Sequence, residues 1–355
     1  MKKYILSALM LLAGMGVSLA QQTVAGTTYF LPKTALRFAV KVEKTTYTPG
    51  QFAMYAFRYM KKKDVALHPA ETYRVVDIRM NTIGVPDSTK QFTLNLDKKL
   101  SISEVDRDES GLLLAINAKG RQVALPERFV PAPKQPQPNP NDYMNEDILS
   151  AGSTAKMAEL TAKDIYDIRE SRNQLARGQA DFMPKDGTQL RIMMENLDAQ
   201  ERALLQTFEG TMVSDTVETI ITFVPQPDEE RSVLFRFSQH LGITDADDLA
   251  GTPYYIMVAP EGNVPEGEPA EKESKDNFGL CVNIPDKIQV TLTHDSRIVK
   301  TYECYAGQFG RTEYLSAELF GKKNTSHILL NPISGSIEKI ESETLKSPAF
   351  PAVIG

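Results

Sequence analysis

The chain has 355 residues, 41% of them hydrophobic, and 46 acidic against 40 basic residues give a net charge of −6. This composition suffices to bury a core, and the length predicts two or three domains. Because the basic side chains are dispersed among more numerous carboxylates, the composition excludes nucleic acid as an expected partner. Beyond the first few residues, Lys61-Lys62-Lys63 is the basic cluster of the sequence, and we interpret it as the solvated end of a helix.

The first segment, MKKYILSALMLLAGMGVSLAQQ, has the order of regions found in an export signal. Lys2 and Lys3 form a positive start, an uncharged apolar stretch follows, and small residues precede position 21. We predict a signal peptide over residues 1–20 and export to the periplasm, with the cell surface or the extracellular space as alternatives. The apolar stretch is shorter than the roughly 20 residues of a spanning helix, so we expect no transmembrane segment in the mature chain.

Residues 21–120 are predicted to form an N-terminal α+β domain. Between residues 34 and 44, apolar and charged side chains alternate with the period of two of a half-buried strand. Thr48 can then cap a helix that starts at Pro49, and the aromatic stripe of this helix predicts core packing rather than a binding site. The stretches TYRVVDIRMNTIG, QFTLNLD and GLLLAIN add strands, so we expect a mixed, mostly antiparallel sheet with one helix.

The middle of the chain changes from a proline-rich segment to two strong helical patterns. The prolines within residues 121–150 predict a semi-rigid extended linker, with a docking segment for a partner as the alternative. Residues 151–210 are predicted to form an antiparallel helical hairpin, in which Gly178 and Gly210 end the helices and Asp186 caps the second one. Because two isolated helices cannot bury both apolar stripes, we expect the hairpin to pack on the C-terminal β-rich domain.

Residues 211–355 contain several strand candidates separated by turn signals, which predicts a β-rich, sandwich-like C-terminal domain with one hairpin turning at Asp295-Ser296. Cys281 and Cys304 lie in strand candidates that can be neighbours, so a disulfide between them is one prediction for an oxidising compartment. Two separate buried thiols are the alternative, because spacing cannot establish the Cα separation of a disulfide. The predicted fold class is α+β: an N-terminal mixed sheet with a helix, a Pro-rich linker, and a helical hairpin on a β-rich domain.

The stretch DRDESG, residues 106–111, copies the first half of a calcium-binding loop. Asp106, Asp108 and Ser110 stand at ligand spacing, but the twelfth position is Asn117, where a calcium loop needs a bidentate glutamate. The sequences on either side also predict strands, whereas a calcium-binding loop of this kind lies between two helices. We therefore predict a hairpin turn here and not a metal site.

No other pattern predicts a cofactor, a metal site or a catalytic residue. The acidic cluster ITDADDLAG is typical of a helix cap or a turn, and the four histidines are scattered without zinc-ligand spacing. The sequence contains no nucleophile elbow, Walker loop or dinucleotide-binding glycine pattern, and the acidic pair of a glycosidase has no spacing of its own. We predict no cofactor and no metal, and the catalytic residues stay unknown.

Four stretches carry a resemblance to a known family: TTYFLPKTAL, TPGQFAMYAFRYM, DGTQLRIMMENLDAQERALLQTFEG and YAGQFGRTEYLSAELF. Over nearly its whole mature length the chain resembles a family of exported Bacteroidetes proteins known only as a domain of unknown function. The resemblance implies a Gram-negative setting and export across the inner membrane. It supplies no activity and no catalytic residues.

Because folding explains the recognisable patterns, the sequence favours a non-catalytic envelope module that binds another envelope protein or a surface polymer. In this hypothesis, strand edges and the Pro-rich linker set the geometry of assembly. The alternative is a hydrolase that acts on a glycan or a peptide through acidic residues that the patterns do not reveal. A cleft with two inward carboxylates of perturbed pKa would favour the hydrolase.

Overall fold

The computed structural model describes residues 26–94, 96, 100–134, 136–264, 279–321 and 324–344. The predicted signal peptide, residues 1–20, lies outside the described residues. Over the described ranges the chain is mostly β, with antiparallel sheets and few helices, which confirms the coarse expectation from the sequence. No helix in these ranges is long and apolar enough to cross a membrane.

The strands of the described ranges are β1 (Thr27–Thr48), β2 (Ala70–Leu94), β3 (Val105–Arg107), β4 (Leu113–Ile116), β5 (Thr211–Phe223), β6 (Arg231–Ser238), β7 (Gly242–Thr244), β8 (Thr252–Pro260), β9 (Cys281–His294), β10 (Arg297–Tyr314), β11 (Asn324–Leu330) and β12 (Ile337–Thr344). The α-helices are α1 (Glu146–Leu149), α2 (Thr154–Arg177) and α3 (Gly187–Glu209). Short 3-10 helices span Ala53–Tyr55, Pro140–Tyr143 and Ala317–Phe320, and a π-helix spans Ala56–Met60.

The described strands form three antiparallel sheets. Their orders are β2-β1-β5, β10-β9-β8-β6-β7 and β12-β11-β4-β3. In the first sheet β1 is central, because it pairs with β2 along one edge and with β5 along the other. The first and third sheets therefore combine strands from before and after the long helices. The division of the chain into separate domains stays a prediction. Sheet pairing connects strands of the predicted N-terminal domain with strands of the predicted C-terminal domain.

Two apolar clusters hold the sheets together. The larger one joins Phe38 of β1 to Val290 of β9, so the first and second sheets share a core. The other packs Tyr29 of β1 with Cys281 of β9 and Ile328 of β11, which connects the third sheet to the rest. The alternation of side chains along each strand places one set on a common face, and burial of that face is the main force that holds these sheets together.

The helices have an apolar cluster of their own, within residues 52–60 and 140–209, which we call the helical lobe. Phe208 and Ile165 of the long helices pack here with Phe52, Met60 and Ile148. The buried members of this cluster all come from the helical lobe and none from a strand, so the expectation that the hairpin packs on the C-terminal β-rich domain is wrong. The short helices after β1 and the segment around α1 supply the apolar surface that covers both stripes.

The caps predicted for the long helices are confirmed. Gly178 ends α2 in the left-handed conformation with φ 69°, which a residue without Cβ adopts at little cost. At the start of α3, the Asp186 carboxylate accepts a hydrogen bond from the N–H of Gln189 at 2.8 Å. These signals act between residues that are close in sequence, so the pattern alone could locate both helices.

The helix predicted to start at Pro49 is different in the structure. Thr48 is the last residue of β1, and a 3-10 turn and a π-helix follow Phe52 instead of a capped α-helix. Gly50 lies against the end of α3, where an added Cβ would come within 2.2 Å of the Thr207 carbonyl oxygen. The same oxygen accepts a hydrogen bond from the Phe52 N–H at 2.7 Å. This contact with α3, distant in sequence, fixes the conformation of the turn.

The proline-rich segment has no regular structure over its described residues between 121 and 139, which we call the proline strap. Two contacts of the strap with the first sheet involve a lysine side chain. The ammonium group of Lys41 on β1 lies 4.0 Å from the ring centroid of Phe129, and Lys134 forms an ion pair of 2.7 Å with Asp215 on β5. From Pro140 the chain becomes helical again and enters the helical lobe.

Candidate functional site

A cleft of about 660 Å³ opens where β1 and β2 meet the end of α3, and its volume is within the range of ligand-binding sites. We call it the lysine cleft. Its lining contains basic, acidic, hydroxylated and apolar side chains. The basic ones are Lys61, Lys62 and Lys63, the acidic ones Asp64 and Glu209, the hydroxylated ones Thr45, Tyr47 and Thr72, and the apolar ones Val65, Ala66, Ala70 and Met212. The basic run interpreted from the sequence as a solvated helix end thus lines a cavity.

A single tyrosine fastens the lysine-bearing segment to the sheet. The Tyr47 hydroxyl lies 2.8 Å from the Ala66 carbonyl oxygen and 3.1 Å from the Glu209 carbonyl oxygen, so its one proton is shared between them. These contacts connect β1, the segment after the π-helix and the end of α3. Lys61 adopts the left-handed conformation, with φ 57°, and this residue turns the chain out of the helix and along the cleft.

The charges in the cleft are three ammonium groups and two carboxylates. Lys62 forms an ion pair of 3.3 Å with Glu209, and Lys61 donates a hydrogen bond of 3.2 Å to the Arg58 carbonyl oxygen. Lys63 has no ion pair within the described part of the chain, and all three lysines are exposed. The cleft therefore keeps at least one ammonium group available for an anion.

The lining can hold an anionic chain in an extended form. Ammonium groups donate charge-assisted hydrogen bonds to carboxylates, and the hydroxyl groups of Thr45 and Thr72 can donate or accept further ones. Val65 and Met212 add apolar surface on which the carbon skeleton of a ligand can rest. The arrangement suits binding better than proton transfer. All three lysines are exposed to solvent, whereas a group that transfers protons is usually enclosed.

The two cysteines are free thiols, and the structure places them in different clusters. β9 and β10 do pair, but Cys281 faces Tyr314, while Cys304 faces Ile288. Since Ile288 is seven residues beyond Cys281 on the same strand, the two sulfur positions are separated by roughly 23 Å along the ladder. The disulfide prediction is wrong for this register, and the alternative of two separate thiols describes the structure. Burial raises the pKa of each thiol to about 11.

The acidic stretches have turn geometry. In the calcium-loop stretch, Asp108 accepts hydrogen bonds of 2.9 Å from the N–H groups of Ser110 and Leu112, and β3 and β4 pair on either side, which confirms the predicted hairpin turn. In the second acidic stretch, Asp248 accepts from the N–H of Ala250 in the same way. No group of three or more metal-ligating side chains occurs among the residues that the structure describes.

Sequence reasoning identified the lysine run but did not assign it to a site. The missing information is the pair of contacts made by Tyr47, which join residues 19 and 162 positions apart in sequence. One local signal was present: the run directly follows an aromatic helical pattern and precedes a strand, so it had to form a connection beside the sheet. That signal indicates proximity to the sheet and not a cavity.

Comparison with known proteins gives one family and no individual relative. No curated protein and no solved structure matches the chain. A family model described as a domain of unknown function, DUF4831, matches residues 25–338. This range includes the whole helical lobe and every described strand except most of β12. The chain belongs to this family, DUF4831.

Proposed function

We propose that the protein is a non-catalytic binding module of the cell envelope whose lysine cleft holds a carboxylate-bearing surface polymer. The observation that carries this proposal is the convergence of Lys61, Lys62 and Lys63 on an open cavity of about 660 Å³. Export to the periplasm or cell surface is part of the proposal and rests on residues 1–20. We also infer a sandwich-like arrangement of the first two sheets, supported by their shared core, as a rigid base for the cleft.

The strength of the individual contacts favours a polymer over a small acid. An exposed ammonium–carboxylate pair contributes about 0.2–1 kcal/mol, so three lysines hold a single small acid more weakly than a dissociation constant of about 1 mM. A polymer with repeated carboxylates places a second group near the cleft as soon as the first has bound, which raises the effective concentration. An extended polyanion therefore fits the cleft better than a metabolite does.

The hydrolase alternative has two carboxyl groups to offer in this cleft, Asp64 and Glu209. Glu209 forms an ion pair of 3.3 Å with Lys62 and is therefore engaged within the lining. Burial raises the pKa of the Asp164 carboxyl, but this residue is on α2 and is not part of the cleft lining. Binding is therefore the function that the geometry supports better.

The test measures binding of a polyuronate chain by calorimetry, with its neutral methyl ester as the reference ligand. In the Lys61→Gln/Lys63→Gln double variant, two lost contacts of about 0.2–1 kcal/mol each should weaken binding about 2- to 30-fold. The Lys119→Gln/Lys163→Gln variant, which removes two exposed lysines elsewhere, should bind as the native protein does. Raised salt should weaken native binding because the contacts are exposed. Equal affinity of the two double variants would defeat the proposal.

A second pair of variants separates binding from hydrolysis. Removing a carboxylate from the cleft in Asp64→Asn or Glu209→Gln makes the lining more positive, so a binding module should hold the polyanion as tightly or more tightly. A hydrolase that uses these groups should instead lose turnover, measured as the release of new chain ends. Native turnover that either variant abolishes would replace the binding proposal with the hydrolase.

A further inference from the structure

The strand β5 forms a free edge of the first sheet. Its thirteen residues, Thr211–Phe223, pair with β1 without a register shift, and the order β2-β1-β5 leaves its other side open. Among the described residues, the backbone of β5 makes no hydrogen bond with any strand other than β1. Edge strands usually carry charged side chains, proline or a bulge that prevents further pairing. β5 has no lysine, no proline and no bulge, and its charged residues are Asp215 and Glu218.

Apolar side chains along this edge are exposed to an unusual degree. The exposed fractions are 71% for Met212, 37% for Val213, 57% for Val217 and 39% for Ile220. They lie on both faces of the strand, because positions 212 and 220 alternate with positions 213 and 217. Burial of these side chains by an additional strand would cover apolar surface on both faces of the sheet at once.

We propose that β5 pairs with β5 of a second copy of this chain, antiparallel, about a two-fold axis at Val217. Val217 is the middle residue of Thr211–Phe223, so this axis pairs all thirteen residues and extends the first sheet to six strands. An axis perpendicular to the sheet keeps the core faces of both copies on the same side, as a continuous sheet requires. Such an interface is isologous, with one patch used twice.

The sequence of β5 is complementary to itself in this register. Asp215 faces Thr219 of the partner subunit, and Glu218 faces Thr216 of the partner subunit, so each carboxylate lies opposite a hydroxyl group. Moving the axis to Asp215 or Glu218 would place a carboxylate opposite its own copy, which is unfavourable. A fit over the full length of the strand favours a second copy over an unrelated peptide.

Each carboxylate of the edge also has a cation within its own subunit. Asp215 forms the 2.7 Å ion pair with Lys134 of the proline strap, and Glu218 is the cross-strand neighbour of Lys41 on β1. The charge of Asp215 is therefore paired within each subunit before two copies approach. The interface lies on the β5 edge and adjoins the lysine cleft at Met212, which lines that cleft and also belongs to β5.

Analytical ultracentrifugation of the full chain over a concentration series tests the association. The native protein should form a dimer, and Val217→Lys, which sets two ammonium groups against each other at the axis, should weaken association at least tenfold. The matched control is Val76→Lys, an exposed valine on β2, which should leave the dimer intact. A native protein that stays monomeric over the whole series overturns the proposal, and so does a dimer that Val217→Lys does not weaken.

Engineered cysteines test the register. Directly opposite residues of an antiparallel pair have Cα atoms about 4.5–5.5 Å apart, within the range of a disulfide. Val217→Cys should therefore crosslink to a covalent dimer on air oxidation. Val213→Cys, whose copies would be eight residues apart along the ladder, should not. Crosslinking at position 213 without crosslinking at position 217 overturns the two-fold at Val217.

Discussion

Replacing Phe208 with alanine should destabilise the helical lobe more than any change on its surface. Phe208 is fully buried, and its ring centroid lies 5.5 Å from that of Phe52, in a tilted pair. The substitution removes a whole aromatic side chain from a cluster closed by helices on several sides, so the site cannot collapse fully. Phe→Ala changes of this kind cost about 3–5 kcal/mol, and the lost ring pair accounts for about 0.5–1.5 kcal/mol of that.

The matched control is Phe57→Ala in the π-helix of the same lobe, where the ring is 57% exposed. This change should alter the free energy of unfolding by less than about 0.5 kcal/mol. Urea unfolding followed by the helical circular dichroism signal measures both variants. Because the lobe cluster contains no strand residue, Phe208→Ala should shift the helical transition to lower urea while the sheets unfold as before. A loss below about 1 kcal/mol, or equal losses in the two variants, would refute this account of the lobe.

Two further predictions concern the thiols and the leader. Burial raises the pKa of Cys281 and of Cys304 to about 11. At pH 8 both thiols should therefore react with an alkylating reagent roughly 100-fold more slowly in the folded than in the unfolded protein. The reaction in the folded protein should become faster as the pH rises. Mass spectrometry after unfolding without reductant should find both thiols alkylated, and an unlabelled pair would indicate a disulfide. The same method, applied to protein from its own host, should find Gln21, or the blocked pyroglutamate formed from it, at the mature N-terminus; an intact Met1 would contradict export with cleavage.

Local signals located those parts of the fold that depend on neighbouring residues. The hairpin at Asp295-Ser296 is present because both residues adopt positive φ, 47° and 62°, as a two-residue turn between β9 and β10 requires. The helix caps at Gly178 and Asp186 are of the same kind. β2 shows the opposite case: the sequence predicts TYRVVDIRMNTIG and QFTLNLD as separate strands, yet β2 contains the first and continues into the second as far as Leu94, because β1 pairs with residues on either side of the unpaired positions 87–90.

What the sequence could not supply is the register and the surface that covers each element. The separation of Cys281 from Cys304 depends on the register of β9 and β10, and one register shift between Ile298 and Lys300 contributes to the pairing of Cys304 with Ile288. The apolar surface that covers the helical hairpin comes from segments outside the hairpin, and local sequence patterns do not identify them. The lysine cleft likewise depends on Tyr47 contacts across the chain, so its residues were visible in the sequence while the cavity was not.

The central place of β1 has a consequence for how the chain folds. Its Thr34 N–H donates to the Gln308 side chain across 274 residues, and the Tyr29 hydroxyl donates to the Cys281 carbonyl oxygen across 252 residues. A topology with such high contact order folds slowly, since long loops must close before these bonds form. The helical lobe forms its α2–α3 contacts within a short span and can fold early. β1 emerges first during synthesis but is completed last, and in the interval its unpaired edges need protection from aggregation.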